Sequence, residues 1–151
     1  MPPYDADNIF AKILRGEIPS LKVFEDAQTY AFMDIMPRSD GHCLVIPKTA
    51  CRNMLDATPL QLSCCLATVQ RMGQALMRAF AAPGLTVQQF NEAAGGQEVF
   101  HLHYHVLPRY EGVALRPPGQ MADMAVLGAQ ADRIRTALAA GGSGGSSGSG
   151  R

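Results

Sequence analysis

Three of the four histidines fall within five positions, in the run Phe100-His101-Leu102-His103-Tyr104-His105-Val106-Leu107. Near pH 7 a neutral imidazole is a competent nucleophile and proton carrier, and it is also a zinc ligand. Strict alternation with large apolar residues predicts a strand, whose successive side chains point to opposite faces. On that reading His101, His103 and His105 share one face at a spacing of about 7 Å. Phe100, Leu102, Tyr104 and Val106 then share the other face and pack on a core. A buried row of imidazoles would need three sets of hydrogen-bond partners. A solvated face would be served as well by Lys, Glu or Thr. The residues by themselves leave imidazole catalysis and a zinc site open as the two chemical readings. Pro108 cannot donate to a ladder, so pairing is expected to fade there.

The elements that must position this row are readable on either side of it. Asp7 is expected to cap a short helix over 8–15 that Gly16 ends, with Ile9, Phe10, Ile13 and Leu14 on its apolar face. Residues 21–25 and 29–35 predict a strand pair that turns through Asp26-Ala27-Gln28. Asp34 closes the second strand and, taken by itself, is a turn former. Ser39-Asp40-Gly41 marks a turn, and 42–47 reads as an apolar strand buried on both faces. Thr58-Pro59-Leu60-Gln61 carries an N-cap, a Pro at the first helical position and a capping-box Gln. From there Leu62, Leu66, Val69, Leu76 and Phe80, with Gly73, form a helical stripe to about residue 82, facing the core or a core shared with a partner chain. Pro83-Gly84 stops that helix, and 85–90 alternates as a strand. The connection Asn91–Gln97 holds two glycines, Gly95 and Gly96, which either let backbone approach a ligand or simply make the loop flexible. Residues 121–140 predict a further helix, and 141–151, almost pure Gly and Ser, a disordered tail.

A chain of 151 residues with 47% hydrophobic content is long enough for one domain with a real core, and it is not a disordered chain. Lys+Arg and Asp+Glu stand at 13 each, so no global basic field suggests a nucleic-acid polymer as partner, although local positive charge could meet a small phosphate. No apolar run is long enough to span a membrane. The first residues carry neither a basic region nor an apolar stretch, so no signal peptide is expected and a cytoplasmic location is. Cys43, Cys51, Cys64 and Cys65 make no C-x-x-C pair and read as reduced thiols, mostly core fillers.

The run from His101 to Leu107 resembles the signature of the histidine triad (HIT) family. Ile9-Phe10-Ala11-Lys12-Ile13-Leu14-Arg15-Gly16-Glu17-Ile18-Pro19 is similar to that family's first helix and turn. Ala31-Phe32-Met33-Asp34-Ile35 and Gly41-His42-Cys43-Leu44-Val45-Ile46-Pro47-Lys48 are similar to its next strands, and Asn91 with Gly95-Gly96-Gln97 to its approach to the triad. The similarity runs in family order over about residues 8 to 112. It implies an α+β fold, with a five-stranded antiparallel sheet, one long and one short helix, and a homodimer that joins two sheets into a larger one. Helix 59–82 and strand 85–91 would make the dimer contacts. The HIT domain would occupy 1–112, and a partly helical extension 113–140.

The resemblance further implies a nucleotide-binding hydrolase that needs no cofactor. It would release a nucleoside monophosphate, a purine such as AMP, from a leaving group through a nucleotidyl-histidine, as a phosphoramidase does. Hydrolysis of dinucleoside polyphosphates, or nucleotide-dependent regulation with incidental catalysis, are the alternatives. Residue by residue, His103 would be the nucleophile, and His105 would bond the phosphate and give the leaving group a proton. His101 and His42 would form a supporting pair. Phe10 and Ile13 would contact the base, and Asp34 with Ile35 the ribose. Asn91, Gly96, Gln97, Glu98 and Val99 would surround the sugar and phosphate. Some bacterial relatives bear a zinc-binding Cys pair at the positions of Asn8 and Ala11, so no metal is expected here. Many relatives have Ser or Thr where Glu98 stands. Strand parity would put Glu98 with Phe100 and Leu102, away from the phosphate, whereas the hydroxyl that relatives place at the phosphate from this position implies a backbone that is not a regular strand. A carboxylate about 4 Å from a phosphate charge would cost roughly 4 kcal/mol at an effective dielectric near 20. The Glu98 side chain is therefore expected to turn outward, leaving a backbone N–H to meet the phosphate.

Overall fold

A computed structural model describes residues 1–142. The elements are α1 (Ile9–Leu14), β1 (Lys22–Glu25), β2 (Thr29–Met33), β3 (Cys43–Pro47), α2 (Pro59–Ala79), β4 (Gly84–Gln88), a 3-10 turn (Ala93–Gly95), β5 (Tyr104–Arg109) and α3 (Met124–Gly142). The strands form one antiparallel sheet in the order β1-β2-β3-β5-β4, so the histidine-bearing strand is inserted between two partners. The sheet is the five-stranded antiparallel one expected.

The two faces of the sheet differ. On one, Met33, Cys43, Val45, Tyr104 and Val106 pack against Cys65, Val69, Met72 and Leu76 of α2 and Leu127, Ala131, Ile134 and Leu138 of α3. On the other, Phe32, Leu44 and Ile46 meet Phe10, Ile13 and Leu14 of the one-and-a-half-turn α1. This second cluster is small, so the face beyond it stays open for chemistry. β3 is buried at all five positions because both of its faces are covered. A buried Thr29–Thr68 hydroxyl pair, 2.7 Å apart, joins β2 to α2. Among the described residues no helix is long and apolar enough to cross a membrane.

Local chemistry explains where the elements begin and end. The Thr58 side chain accepts from the N–H of Gln61, and the Gln61 side chain accepts from the N–H of Thr58, closing the capping box. The Asp26 carboxylate accepts from the N–H groups of Gln28 and Thr29 and thereby forms the β1–β2 turn. Gly41 has φ +81°, and a Cβ there would stand 2.6 Å from the Phe80 ring, so the turn before β3 admits only glycine.

Several boundaries differ from expectation. The cap of α1 is Asn8, whose side chain accepts from the N–H of Ala11, and Asp7 lies one residue outside. Ile9 is therefore exposed, and the inward stripe is Phe10, Ile13 and Leu14. On α2 the stripe is buried at Val69, Met72 and Leu76, while Leu66 is 52% exposed. Gly141 and Gly142 form the last turn of α3 rather than the start of a disordered tail, and the tail from 143 onward lies outside the described residues.

Candidate active site

The regular strand begins at Tyr104, so His101 and His103 precede it on a bent segment and only His105 is in the ladder. The single row on a continuous strand is thus corrected. β3 pairs with β5 no further than Val45 opposite Tyr104. Pro47 has no N–H with which to extend that ladder, and its carbonyl instead receives the Nε2–H of His101 at 2.9 Å. The Leu102 N–H donates to the carbonyl of Cys51 at 2.9 Å.

These contacts fix the proton positions by hydrogen-bond logic. A carbonyl only accepts, so His101 carries its proton on Nε2, and its Nδ1 accepts from the Tyr4 hydroxyl at 2.6 Å. The carbonyl of His101 accepts from Nδ1–H of His103 at 2.7 Å. His103 therefore presents a free lone pair on Nε2. Its ring is gripped edge-on by Phe10, with centroids 4.9 Å apart, and stands 5.1 Å from the ring of His105.

A second chain of bonds sets His105. The backbone N–H of Arg38 donates to Nδ1 of His42 at 3.1 Å, so His42 holds its proton on Nε2. That nitrogen lies 2.9 Å from Nδ1 of His105 and donates to it. The proton of neutral His105 is then on Nε2. The partner of His42 is thus His105, not His101, because the turn at 39–41 lays the His42 ring along β5 while His101 is held at the far end of β3. Asp34 points Oδ2 at the pair, 3.5 Å from His42 and 4.0 Å from His105, and its Oδ1 accepts from the N–H of Met36.

Burial holds all four imidazoles neutral. It pushes His42 down to about 3, helped by the neighbouring His105 and Arg38. His101 falls to about 4 through burial, against the pull of its bond to Pro47, and His105 to about 4 through burial and the proximity of His103 and Arg38. His103 is lowered by burial too, while its bond to the His101 carbonyl and the negative charge of Glu98 act the other way. Burial raises Asp34.

The remaining expected residues fall around this centre. Ile13 and Val99 line the apolar patch with Phe10, and Ile35 is exposed at the rim beside Asp34. Gly96, at φ +96°, passes so close to the Phe90 ring that a Cβ would approach it to 3.3 Å. Phe90 in turn meets His105 edge-on, with centroids 5.8 Å apart. The Asn91 carboxamide is engaged by the N–H of Met54 and by Gln89. The Gln97 side chain is buried, accepting from Asn53 and the N–H of Glu92 and donating to the carbonyls of Arg52 and Val99. The Gln97 backbone N–H is engaged as well, donating to the carbonyl of Glu92 at 3.0 Å. Glu98 is exposed, on a bent segment where strand parity does not apply, and its charge still reaches His103.

Sequence reasoning missed the support beneath this loop. Arg52 is buried, forms a two-pronged ion pair with Glu92 at 2.8 and 3.0 Å, and stacks on Phe100. Asn53 is fully buried and binds both Glu92 and Gln97. Glu92 is held at φ +63°. Nothing local marks these residues, because each makes its bonds to a partner about forty positions away. Tyr4 carries no local signal either, since its bond is to a residue 97 positions away.

Asp34, His42 and His105 offer ligand atoms within 4.8 Å of one another. They do not suit a metal as arranged. Arg38 donates to Nδ1 of His42, so the Nε2 aimed at the cluster bears a hydrogen and has no lone pair to give.

The family model described as HIT domain matches residues 15–112. Protein hit of Bacillus subtilis is 41% identical over 102 residues, covering 68% of this chain and 70% of its own length. Adenosine 5'-monophosphoramidase HNT1 of Candida albicans is 33% identical over 141 residues, covering 89% and 93% of the two chains. The crystal structure of a Hit-like protein involved in cell-cycle regulation from Bartonella henselae superposes with a TM-score of 0.87 at 49% identity, covering 90% of this chain and 99% of that one.

Proposed function

This chain belongs to the histidine triad (HIT) family, and from that premise we propose that it is a nucleotide hydrolase that releases a purine nucleoside monophosphate, such as AMP, from an amine or another leaving group. The observation that carries the reading is the complementary pair of tautomers, a free lone pair on Nε2 of His103 beside a proton on Nε2 of His105. Nucleophile and proton donor stand ready in neutral form.

The chemistry follows from those two atoms. Nε2 of His103 forms an N–P bond to the α-phosphorus, and the bond from phosphorus to the leaving group breaks with its electron pair going to that group. His105 hands the leaving group a proton from Nε2, and the negative charge left on its ring is held by the Nε2–H of His42 on Nδ1 until a water proton replaces the one given up. The His42 donor on Nδ1 of His105 withdraws electron density from the ring and makes that proton more acidic. Water then forms an O–P bond, the N–P pair returns to His103, and a proton of the water restores His105. His103 is cationic while phosphorylated, and the carbonyl of His101 stabilises it through Nδ1–H. Phe10, Ile13, Phe32 and Leu44 give the base an apolar seat. Asp34 and Ile35 face the ribose. The backbone of Gly96, Gln97, Glu98 and Val99, with Asn91, borders the phosphate. Support also comes from the Candida albicans relative, an adenosine 5'-monophosphoramidase by name.

The working form is a homodimer. Leu60 and Leu66 on the outer face of α2, and Val87 on the edge strand β4, are 67%, 52% and 48% exposed, an apolar surface that a second copy would cover. Incubation with adenosine 5'-phosphoramidate and with a diadenosine polyphosphate, followed by 31P NMR, tests the reading. AMP release from the phosphoramidate, with a transient phosphorus signal on histidine, is the expected result. Binding of AMP with no turnover of either compound would overturn it in favour of a regulatory module.

A further inference from the structure

The segment that carries His103 lies outside the sheet ladder, so its aim depends on individual anchors. Two come from β3 and the turn after it, the carbonyl of Pro47 holding Nε2–H of His101 and the carbonyl of Cys51 holding the N–H of Leu102. The third comes from the arm ahead of α1, where the Tyr4 hydroxyl bonds Nδ1 of His101 at 2.6 Å and the two rings meet edge-on at 5.7 Å. Tyr4 lies outside the residues that the family model matches. The arm is itself tied down. Asn8 donates to the carbonyl of Asp5, the N–H of Asp7 donates to the Asp5 carboxylate, and Arg15 donates to the carbonyl of Ala6.

We propose that Tyr4 is a positioning residue for the nucleophile, fixing the tautomer and rotation of His101 and, through the His101 carbonyl, the aim of Nε2 of His103. The proposal rests on the assignment of His103 as nucleophile. Its physical basis is satisfaction of a buried acceptor. His101 is 1% exposed, and without Tyr4 its Nδ1 has no partner. The ring regains one only by admitting water or by turning over, which puts Cδ2 in the place of Nδ1 and Cε1 in the place of Nε2 and so breaks the bond to Pro47. Either change moves the backbone of His101. The bond from Nδ1–H of His103 to that carbonyl strengthens as the ring becomes cationic on attack, so a misplaced carbonyl is felt in the transition state more than in the bound ground state. Besides Tyr4 from the arm and the carbonyl of Pro47 from β3, the charges that reach His101 are those of His103 and of Asp56 in the turn after β3. Neither can replace the missing donor.

The test compares wild type with Tyr4→Phe, which keeps the ring packing and removes only the hydroxyl. With adenosine 5'-phosphoramidate, kcat should fall about tenfold, the order expected for loss of one oriented hydrogen bond, while KM stays within experimental scatter and the melting temperature drops by a few degrees as the buried acceptor loses its donor. In 15N NMR the wild-type His101 should keep a protonated Nε2 and an acceptor Nδ1 from pH 5 to 8, and the variant should show mixed tautomers. Unchanged kcat together with an unchanged His101 spectrum would overturn the proposal. So would a wild-type His101 protonated on Nδ1, an outcome independent of how the variant folds. If the wild type turns over no phosphoramidate, the hydrolase reading falls. The role of Tyr4 is then decided by the spectra alone, with an equally protected His103 Nδ1–H in both proteins as the result against it.

Discussion

Nε2 of His42 lies 2.9 Å from Nδ1 of His105, with the other nitrogen of His42 already taken by the backbone of Arg38. The state of His105 is thus dictated by a main-chain amide two bonds away. Replacing His42 by Ala leaves Nδ1 of His105 without its donor, and the proton of His105 then distributes over both nitrogens. Loss of kcat by about ten- to a hundredfold is expected, as for other groups that orient a reacting imidazole. His42→Gln, which keeps an N–H within reach, should recover part of it. Steady-state kinetics on both variants checks this, and equal activity of the two would contradict it.

His103→Asn preserves a donor toward the carbonyl of His101 but has no ring nitrogen to attack phosphorus. Turnover of a phosphoramidate should drop about a thousandfold or more, with AMP affinity changed by only a few-fold. Trapping with 31P detection should find no phosphorus on the protein. Activity within tenfold of wild type would remove His103 from the role of nucleophile.

The depressed histidines set a pH signature. Their folded values lie below the ordinary 6.5, with His42 at about 3 and His101 and His105 at about 4. Between those limits the unfolded chain holds more protons than the folded one, so stability is full above about pH 6.5 and falls as the pH drops toward 4. Each such group adds at most about 1.4 kcal/mol per pH unit to the slope. Asp34, whose value is raised, works in the opposite direction over its own range. Urea unfolding at pH 7.5, 6 and 5 should show the decline. The rate should stay level from pH 8 to about 5.5, and an acid limb centred at 6.5 would show that the catalytic imidazoles are not buried as described.

Glu98 is exposed, so its charge is screened by solvent even though it reaches His103. Glu98→Ser should tighten AMP binding by less than about 1 kcal/mol, which is under about sixfold. Calorimetric titration measures it. A hundredfold gain would mean that the carboxylate faces the phosphate directly.

Much of the scaffold was legible because its signals are local. The Thr58 capping box, the Asp26 turn and the wholly apolar β3 each announce themselves within a few residues. The break before Tyr104 was not legible, because alternation reports side-chain parity and says nothing about which partner supplies the ladder. That information sits at Pro47, more than fifty positions earlier, where a missing N–H ends the pairing. The His42–His105 bond depends on the register of β3 against β5, which one chain's periodicity does not encode. The buried Gln97 and its Asn53 and Glu92 partners form only when two distant loops meet.

Helix α3 contributes Leu127, Ala131, Ile134 and Leu138 to the main core, yet every one of its residues lies beyond 112, where the recognised family pattern ends. What is inherited as a pattern and what must fold cooperatively are therefore different stretches of chain. Leu127→Ala alone should cost about 2 to 5 kcal/mol, readable in a denaturant melt. A fragment cut after Gly112 would keep all four imidazoles, lose the segment whose Arg116 and Ala122 N–H groups hold the carbonyls of Arg38 and Ile35, and expose the face of α2 that α3 now covers. Such a fragment should come out of expression as aggregate, its histidines complete and its core unfinished.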